Sequence, residues 1–245
     1  MSGGIEVDMK TEIRALLCGI IIGCSCGASV CIQAEKAMTT AAAPSKEPAA
    51  AVSIFNGRDL TGWENMGDKS AWYVKDGVIE CNGKYGFWLR YKPLVDDFIL
   101  KLKYKMSQGG NSGVFIRSLK DGDPPFTGWE VQLLDSAGQD PNKHSAGAVY
   151  DILTPMREMS NPAGEWNDLV VKMQGSIAVI WLNGFKIIDT DFDKLDKPIG
   201  KFAFAYKDLP RTGYIGLQEH LSPVWFKDIS IVPLGKLSRQ IKPAR

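Results

Sequence analysis

The chain has 245 residues, 44% of them apolar and 23% charged, with a formal charge of +1. That is an ordinary globular composition, with length for one large domain or two small ones. It excludes a surface that tracks nucleic-acid phosphates, which needs clustered Lys and Arg.

The first segment reads as an export leader, residues 1–34. From Ala15 to Ala34 the sequence is uncharged and mostly apolar or small. A start at Met9 leaves Lys-Thr-Glu-Ile-Arg ahead of it, with the net positive charge that a signal n-region needs. Ile21-Ile22-Gly23-Cys24 has the form of a bacterial lipobox, in which cleavage before Cys24 frees its thiol for a lipid. The alternatives are an ordinary secretory signal cut near Ala34 and an uncleaved anchor. All three place the domain outside the cytoplasm, in the periplasm, at the cell surface or secreted, with membrane contact only through the N-terminal anchor. Residues 35–52 carry the Ala, Pro and Ser bias of a tether. Only Cys81 of the five cysteines lies beyond the leader, so the domain has no internal disulfide, and Cys81 reads as a small buried hydrophobe.

Residues 53–235 form the globular domain, and 236–245 a basic tail. Trp72-Tyr73-Val74 and Val78-Ile79-Glu80 flank Asp76-Gly77, a two-residue turn that favours φ > 0 and predicts a hairpin. Phe98, Leu100, Leu102, Tyr104 and Met106 alternate with Ile99, Lys101, Lys103 and Lys105, which predicts a long strand with one wet, lysine-rich face. Asn111–Arg117 and Trp129–Asp135 are further strands by their alternation. Two long loops follow, Ser136–Ser145 and roughly Leu153–Gly164, of a size that borders binding sites. Leu169, Val171 and Met173 mark another strand, and Asn183-Gly184 a second hairpin between Ile177–Leu182 and Phe185–Asp189. With no sustained 3.6-residue period and no fixed repeat, the pattern predicts an all-β, two-sheet antiparallel sandwich.

One face of that sandwich is unusual. Arg117, Glu130, Gln132, Gln218 and His220 occupy positions of period two where a plain core would hold Val or Leu. Polar side chains aligned across several strands predict a face that works on a ligand. The chain has only two histidines, His144 and His220, so no His-rich metal site is available. Asp121-Gly122-Asp123 offers oxygens to a Ca²⁺ ion but without EF-type spacing. No cofactor is expected.

A further layer comes from resemblance. Phe55–Trp63, Asp76–Ile79, Asn111–Arg117, Trp129–Asp135, Pro162–Asn167, Leu182–Gly184, Gly213–Gln218 and Val224–Ile229 together are similar to the family of 3-keto-disaccharide hydrolases, formerly a domain of unknown function. The likeness runs in order through essentially all of 53–234. It departs at Glu219 and Leu221, where an amide or Asp and a Gly are more usual, and at Lys227, where Arg is. The resemblance implies a concanavalin A-like jelly roll and cleavage of glycosides already oxidised at C3 of the sugar. A C3 ketone acidifies the C2 proton and puts the C1 substituent β to it. A base, a donor to the enolate oxygen and an acid for the departing group then suffice. An upstream sugar 3-dehydrogenase must supply the ketone, because the chain has no dinucleotide-binding fingerprint.

For the base, His220 is favoured by an ordinary pKa close to neutrality, and Glu130 is the second candidate. Glu130 can instead hold a sugar hydroxyl or pair with Arg117 on the neighbouring strand. Arg117, Gln132 and Gln218 fit the task of holding ketone and hydroxyl oxygens. Asn111 is a substrate contact or a turn cap after Gly109-Gly110. Trp129 and Tyr150 border the long loops as candidate platforms for a pyranose face, while Trp166, Trp181 and Trp225 are assigned to the core. Glu130-Val-Gln-Leu-Leu-Asp135 also resembles the catalytic strand of retaining β-glucanases, provided a β-bulge returns Asp135 to the face of Glu130. A non-catalytic carbohydrate-binding module is the remaining alternative.

Overall fold

The computed structural model describes residues 50–84 and 87–245. The leader, Cys24 and most of the tether lie outside the described residues, among which no helix is long and apolar enough to cross a membrane. The described strands are β1 (Val52–Ser53), β2 (Trp63–Asn65), β3 (Trp72–Lys75), β4 (Val78–Asn82), β5 (Trp88–Tyr91), β6 (Phe98–Met106) and β7 (Asn111–Ser118). A short α-helix, α1 (Pro124–Thr127), follows; then come β8 (Trp129–Leu134), β9 (Asn167–Gln174), β10 (Ile177–Leu182), β11 (Phe185–Asp191), β12 (Tyr214–Gln218) and β13 (Pro223–Pro233).

They build two antiparallel sheets, the jelly-roll sandwich expected. The larger has the order β11-β10-β9-β6-β13-β4-β3, with β1 also on β13, and the smaller runs β2-β5-β12-β7-β8. Both hairpin turns take the left-handed conformation their residues favour, with φ of 50° and 79° at Asp76-Gly77 and 50° and 83° at Asn183-Gly184. Leu100, Leu102, Tyr104, Val171 and Phe226 from the larger sheet meet Leu89, Val114, Val131, Leu133 and Leu217 from the smaller in one core that excludes water. Cys81 is buried there as a free thiol, its pKa pushed up to about 12 by burial.

The structure departs from the sequence pattern in two instructive places. Lys105 lies over the rings of Trp166 and Trp225, and Lys227 over Trp166, so these two tryptophans sit half-buried on the outer face of the larger sheet instead of in the core. At the end of β7 the pairing with β12 shifts register between Tyr214 and Gly216, and Arg117 takes a φ of 53°. This bulge turns a side chain due on the outer face into the interior. The residues after β13 also pack on the domain: Ser238 caps the Asp96 region, Ile241 is buried, and the Ala244 amide donates to Ser53.

Candidate active site

The five-stranded sheet offers its outer face to the site. Register places Phe115 opposite Glu130 and Gly113 opposite Gln132 between β7 and β8, so these four positions share one face. Gly216 of β12 stands opposite both Phe115 and Arg90, which continues that face across the sheet. A cavity of about 300 Å³ opens over it, lined on its floor by Asn111, Phe115, Glu130, Gln132 and Gln218. Its walls come from loops: Asp123 and Phe126 at α1, Tyr150, Lys201, and Phe87 with Glu219 and His220 at the opposite side.

The strands bare this floor by using glycine where a side chain would intrude. A Cβ on Gly113 would lie 2.8 Å from Glu130 Oε1, and one on Gly216 would lie 2.1 Å from the Trp88 ring. The chain after β8 folds back along that strand's free edge. Backbone bonds join Gln132 to Gly147 and Ala148, and Tyr150 N donates to Glu130 O at 3.0 Å. This strap covers an otherwise open edge and delivers Tyr150 to the cavity wall.

Glu130 is the centre of the arrangement, with only 3% of its surface exposed. Lys201 Nζ lies 3.2 Å from its Oε2, and Gln218 Nε2 donates to its Oε1 at 3.0 Å. Burial raises the Glu130 carboxyl above its ordinary range, while Lys201, Gln218 and His220 pull it back down. Burial likewise lowers the Lys201 ammonium, which Glu130 sustains in its charged form. Lys201 sits among the rings of Tyr150, Phe126 and Phe202, at 4.8, 5.5 and 5.6 Å from their centroids. The result is a buried carboxylate–ammonium pair at the cavity, in which burial opposes each charge and the partner supports it. Asp123 on the same wall is also raised by burial.

A second set of groups runs toward His220. Gln132 Nε2 donates to Asn111 Oδ1 at 3.1 Å, and Asn111 Nδ2 faces His220 Nδ1 at 3.4 Å. With the Asn111 oxygen accepting from Gln132, its amide NH₂ faces the ring and can donate to Nδ1 when the imidazole proton is on Nε2. Gln132 Oε1 and Gln218 Oε1 are buried without a protein partner. Both side chains line the cavity, and two acceptors left open there suit a ligand rich in hydroxyl groups.

Glu130, Gln132, Gln218, His220, Asn111 and Tyr150 are thus gathered at one cavity. Three expected members are not. Arg117 is wholly inaccessible and points away, donating to Asp96 O, Gly175 O and Asp97 Oδ1. The bulge at the end of β7 is the reason, and the partner of Glu130 is Lys201 instead. Trp129 pairs with Ile116 on the core face and packs against Phe192 and Tyr206, with no access to a pyranose. Asp135 lies beyond β8, whose register with β7 is unbroken, and its carboxylate accepts the Gly109 amide at 2.8 Å. No bulge returns it to the side of Glu130, so the paired carboxylates of the glucanase reading are not assembled by these two residues. Lys201, Asp123, Phe87 and Phe126 were not foreseen. They sit in loops or, for Phe126, in the one-turn helix α1, too short for a period to mark the direction of a side chain.

A hydroxyl-ready cleft with a buried carboxylate, set on one face of a jelly-roll sandwich, defines a carbohydrate-active enzyme. Comparison with known proteins places it further. The chain belongs to the family described as the 3-keto-alpha-glucoside-1,2-lyase-like domain, which matches residues 50–232. It is 28% identical over 228 residues to a 3-keto-disaccharide hydrolase of Bacteroides thetaiotaomicron, covering 74% of this chain and 77% of that protein. Two solved structures from Parabacteroides distasonis, each described as a candidate glycosyl hydrolase, have the same fold. One shows 28% identity and a TM-score of 0.65, covering 76% of this chain and 94% of that one. The other shows 26% identity and a TM-score of 0.68, covering 76% of this chain and all of that one.

Proposed function

We propose that the protein cleaves 3-keto-glycosides by removing the C2 proton, expelling the C1 substituent and letting water add to the resulting enone. The observation that carries this reading is the order of groups across the cavity. Lys201 touches one oxygen of Glu130; the other oxygen is held by Gln218, on the strand that leads to His220. The reacting carbons of the sugar have the matching order C3, C2, C1.

In this reading the Lys201 ammonium donates to the C3 oxygen and stabilises the charge that develops on it as the enolate forms. The Glu130 carboxylate, more basic than usual because of its burial, takes the C2 proton. His220, with its proton on Nε2, donates a hydrogen bond to the departing C1 oxygen, which takes its proton from water in the open cavity. In this reading Glu130 is the base and His220 the hydrogen-bond donor to the leaving group. Gln132 and Gln218 accept from the remaining hydroxyls. A lone base at C2 beside a hydrogen-bond donor at C1 serves elimination, whereas double displacement needs two carboxylates about one carbon. A separate oxidoreductase supplies the ketone, and this proposal includes export of the domain by the leader.

The test offers the purified protein a glucoside and its 3-keto derivative in D₂O. Aglycone release from the ketone alone, with deuterium entering C2, is the expected result, and Glu130→Gln lowers kcat about a thousandfold. Equal cleavage of the unoxidised glucoside, or tight binding of the ketone without turnover, overturns the reading.

A further inference from the structure

We infer that Phe87 and Leu221 form a subsite for the departing group, shaped for a flat apolar aglycone such as a phenol. The inference rests on the reading above and deepens it. If C3 faces Lys201 and C2 lies over Glu130, the C1 substituent leaves the cavity past His220. Phe87 lines the cavity there, its carbonyl accepting the amide of Glu219 at 3.0 Å, and Leu221 follows His220 directly. In this pose the exit for the aglycone runs past the Phe87 ring and the turn that carries Leu221.

Both side chains are held out to solvent. Phe87 is 45% exposed and Leu221 57%, which places them among the most exposed large hydrophobics of the described residues. Both also take left-handed backbone conformations, with φ of 54° and 57°. Bulky side chains rarely adopt that region, and such strain persists where the surroundings impose it. Here the imposing group is visible: the buried Glu219 carboxylate accepts the Leu221 amide at 2.5 Å and fixes the turn. The polar groups meanwhile cluster on the floor, where Glu130, Gln132, Gln218 and Asn111 attend to the sugar. An apolar rim over a polar floor sorts ligands by their leaving group, because exposed aromatic and aliphatic area gains most by covering a ring.

The experiment compares the 3-keto derivatives of phenyl and methyl glucoside, of one anomeric form, with wild type, Phe87→Ser and Leu221→Ser. Comparing variants within each substrate cancels the intrinsic reactivity of the two leaving groups. Each variant is expected to lower kcat/KM for the phenyl compound about tenfold, the scale of a lost ring contact, and for the methyl compound less than about twofold. Exchange of the C2 proton of free 3-keto-glucose, which has no aglycone, is expected to fall no further than the methyl compound's kcat/KM, by less than about twofold. Equal losses on both glucosides, or an unchanged ratio in both variants, overturn the subsite while leaving the elimination intact. A wild type that neither cleaves the ketones nor exchanges their C2 proton overturns the elimination reading and the subsite with it.

Discussion

Among single side chains, the Glu130–Lys201 pair sets the pH behaviour. Glu130 must be ionised to act as a base, so the rate falls as pH drops through its pKa, which burial holds above the ordinary carboxylate range. Lys201 is one of the groups that lower that value. Lys201→Met therefore moves the acid limb of kcat/KM to higher pH, and also removes the donor to the C3 oxygen, costing about a hundredfold at neutral pH. A pH–rate profile of the two proteins checks both effects. An acid limb that stays in place would mean that another group carries the base. The pair escapes sequence reading for a plain reason. Glu130 sits on a strand whose period reveals its face, whereas Lys201 lies in the loop between Pro198 and Ala205, with no repeat to show where its ammonium points.

Among the elements, β7 and β12 position the floor by what they omit. Gly113→Ala puts a methyl group 2.8 Å from Glu130 Oε1 and 3.1 Å from its Cγ, a clash that the flexible carboxylate can escape only by leaving its place. Its expected outcome is a loss of activity of more than tenfold with stability reduced by only about 1 kcal/mol. Gly216→Ala meets the Trp88 ring at 2.1 and 2.6 Å, and that ring cannot move aside as a side-chain terminus can. It should cost about 3 kcal/mol. Urea unfolding beside steady-state kinetics separates the two cases. The same strands show what alternation can and cannot reveal. Asn111, Glu130, Gln132 and Gln218 were legible because regular pleating carries one face through successive residues. Arg117 was not, since one left-handed residue at a bulge reverses the face and nothing in Val-Phe-Ile-Arg signals it. The glucanase resemblance failed for the opposite reason. It needed a bulge in β8, and the strand stays regular.

For the molecule as a whole, Arg117 belongs to the joining of the two sheets. It issues from β7 in the five-stranded sheet and reaches Asp96 and Asp97 just before β6, and Gly175 in the β9–β10 turn, all on the eight-stranded side. Asp97 Oδ1 also accepts the Gly175 amide, so one carboxylate ties the arginine and the turn together. Burial lowers the guanidinium to about 10, with Asp97 holding it up against that pull, so it stays charged near neutral pH. A charge in that position is tolerated only while its partners remain. Arg117→Met strands Asp97, but that carboxylate keeps 32% of its side chain in water, so the penalty falls at the lower end for a broken buried pair, about 3 kcal/mol. The variant should unfold at lower urea concentration, with KM for the 3-keto substrate unchanged per folded molecule. A rise in KM without loss of stability would return Arg117 to the sugar. The sandwich itself was legible from hairpin turns and alternating strands, because those signals are local. The staple between its layers was not, since its bonds join residues 20 and 58 positions apart through a single reversed side chain. Sequence period thus reports which residues of a strand share a face, while the links that hold the sheets face to face depend on the folded chain, and so does the cavity they support.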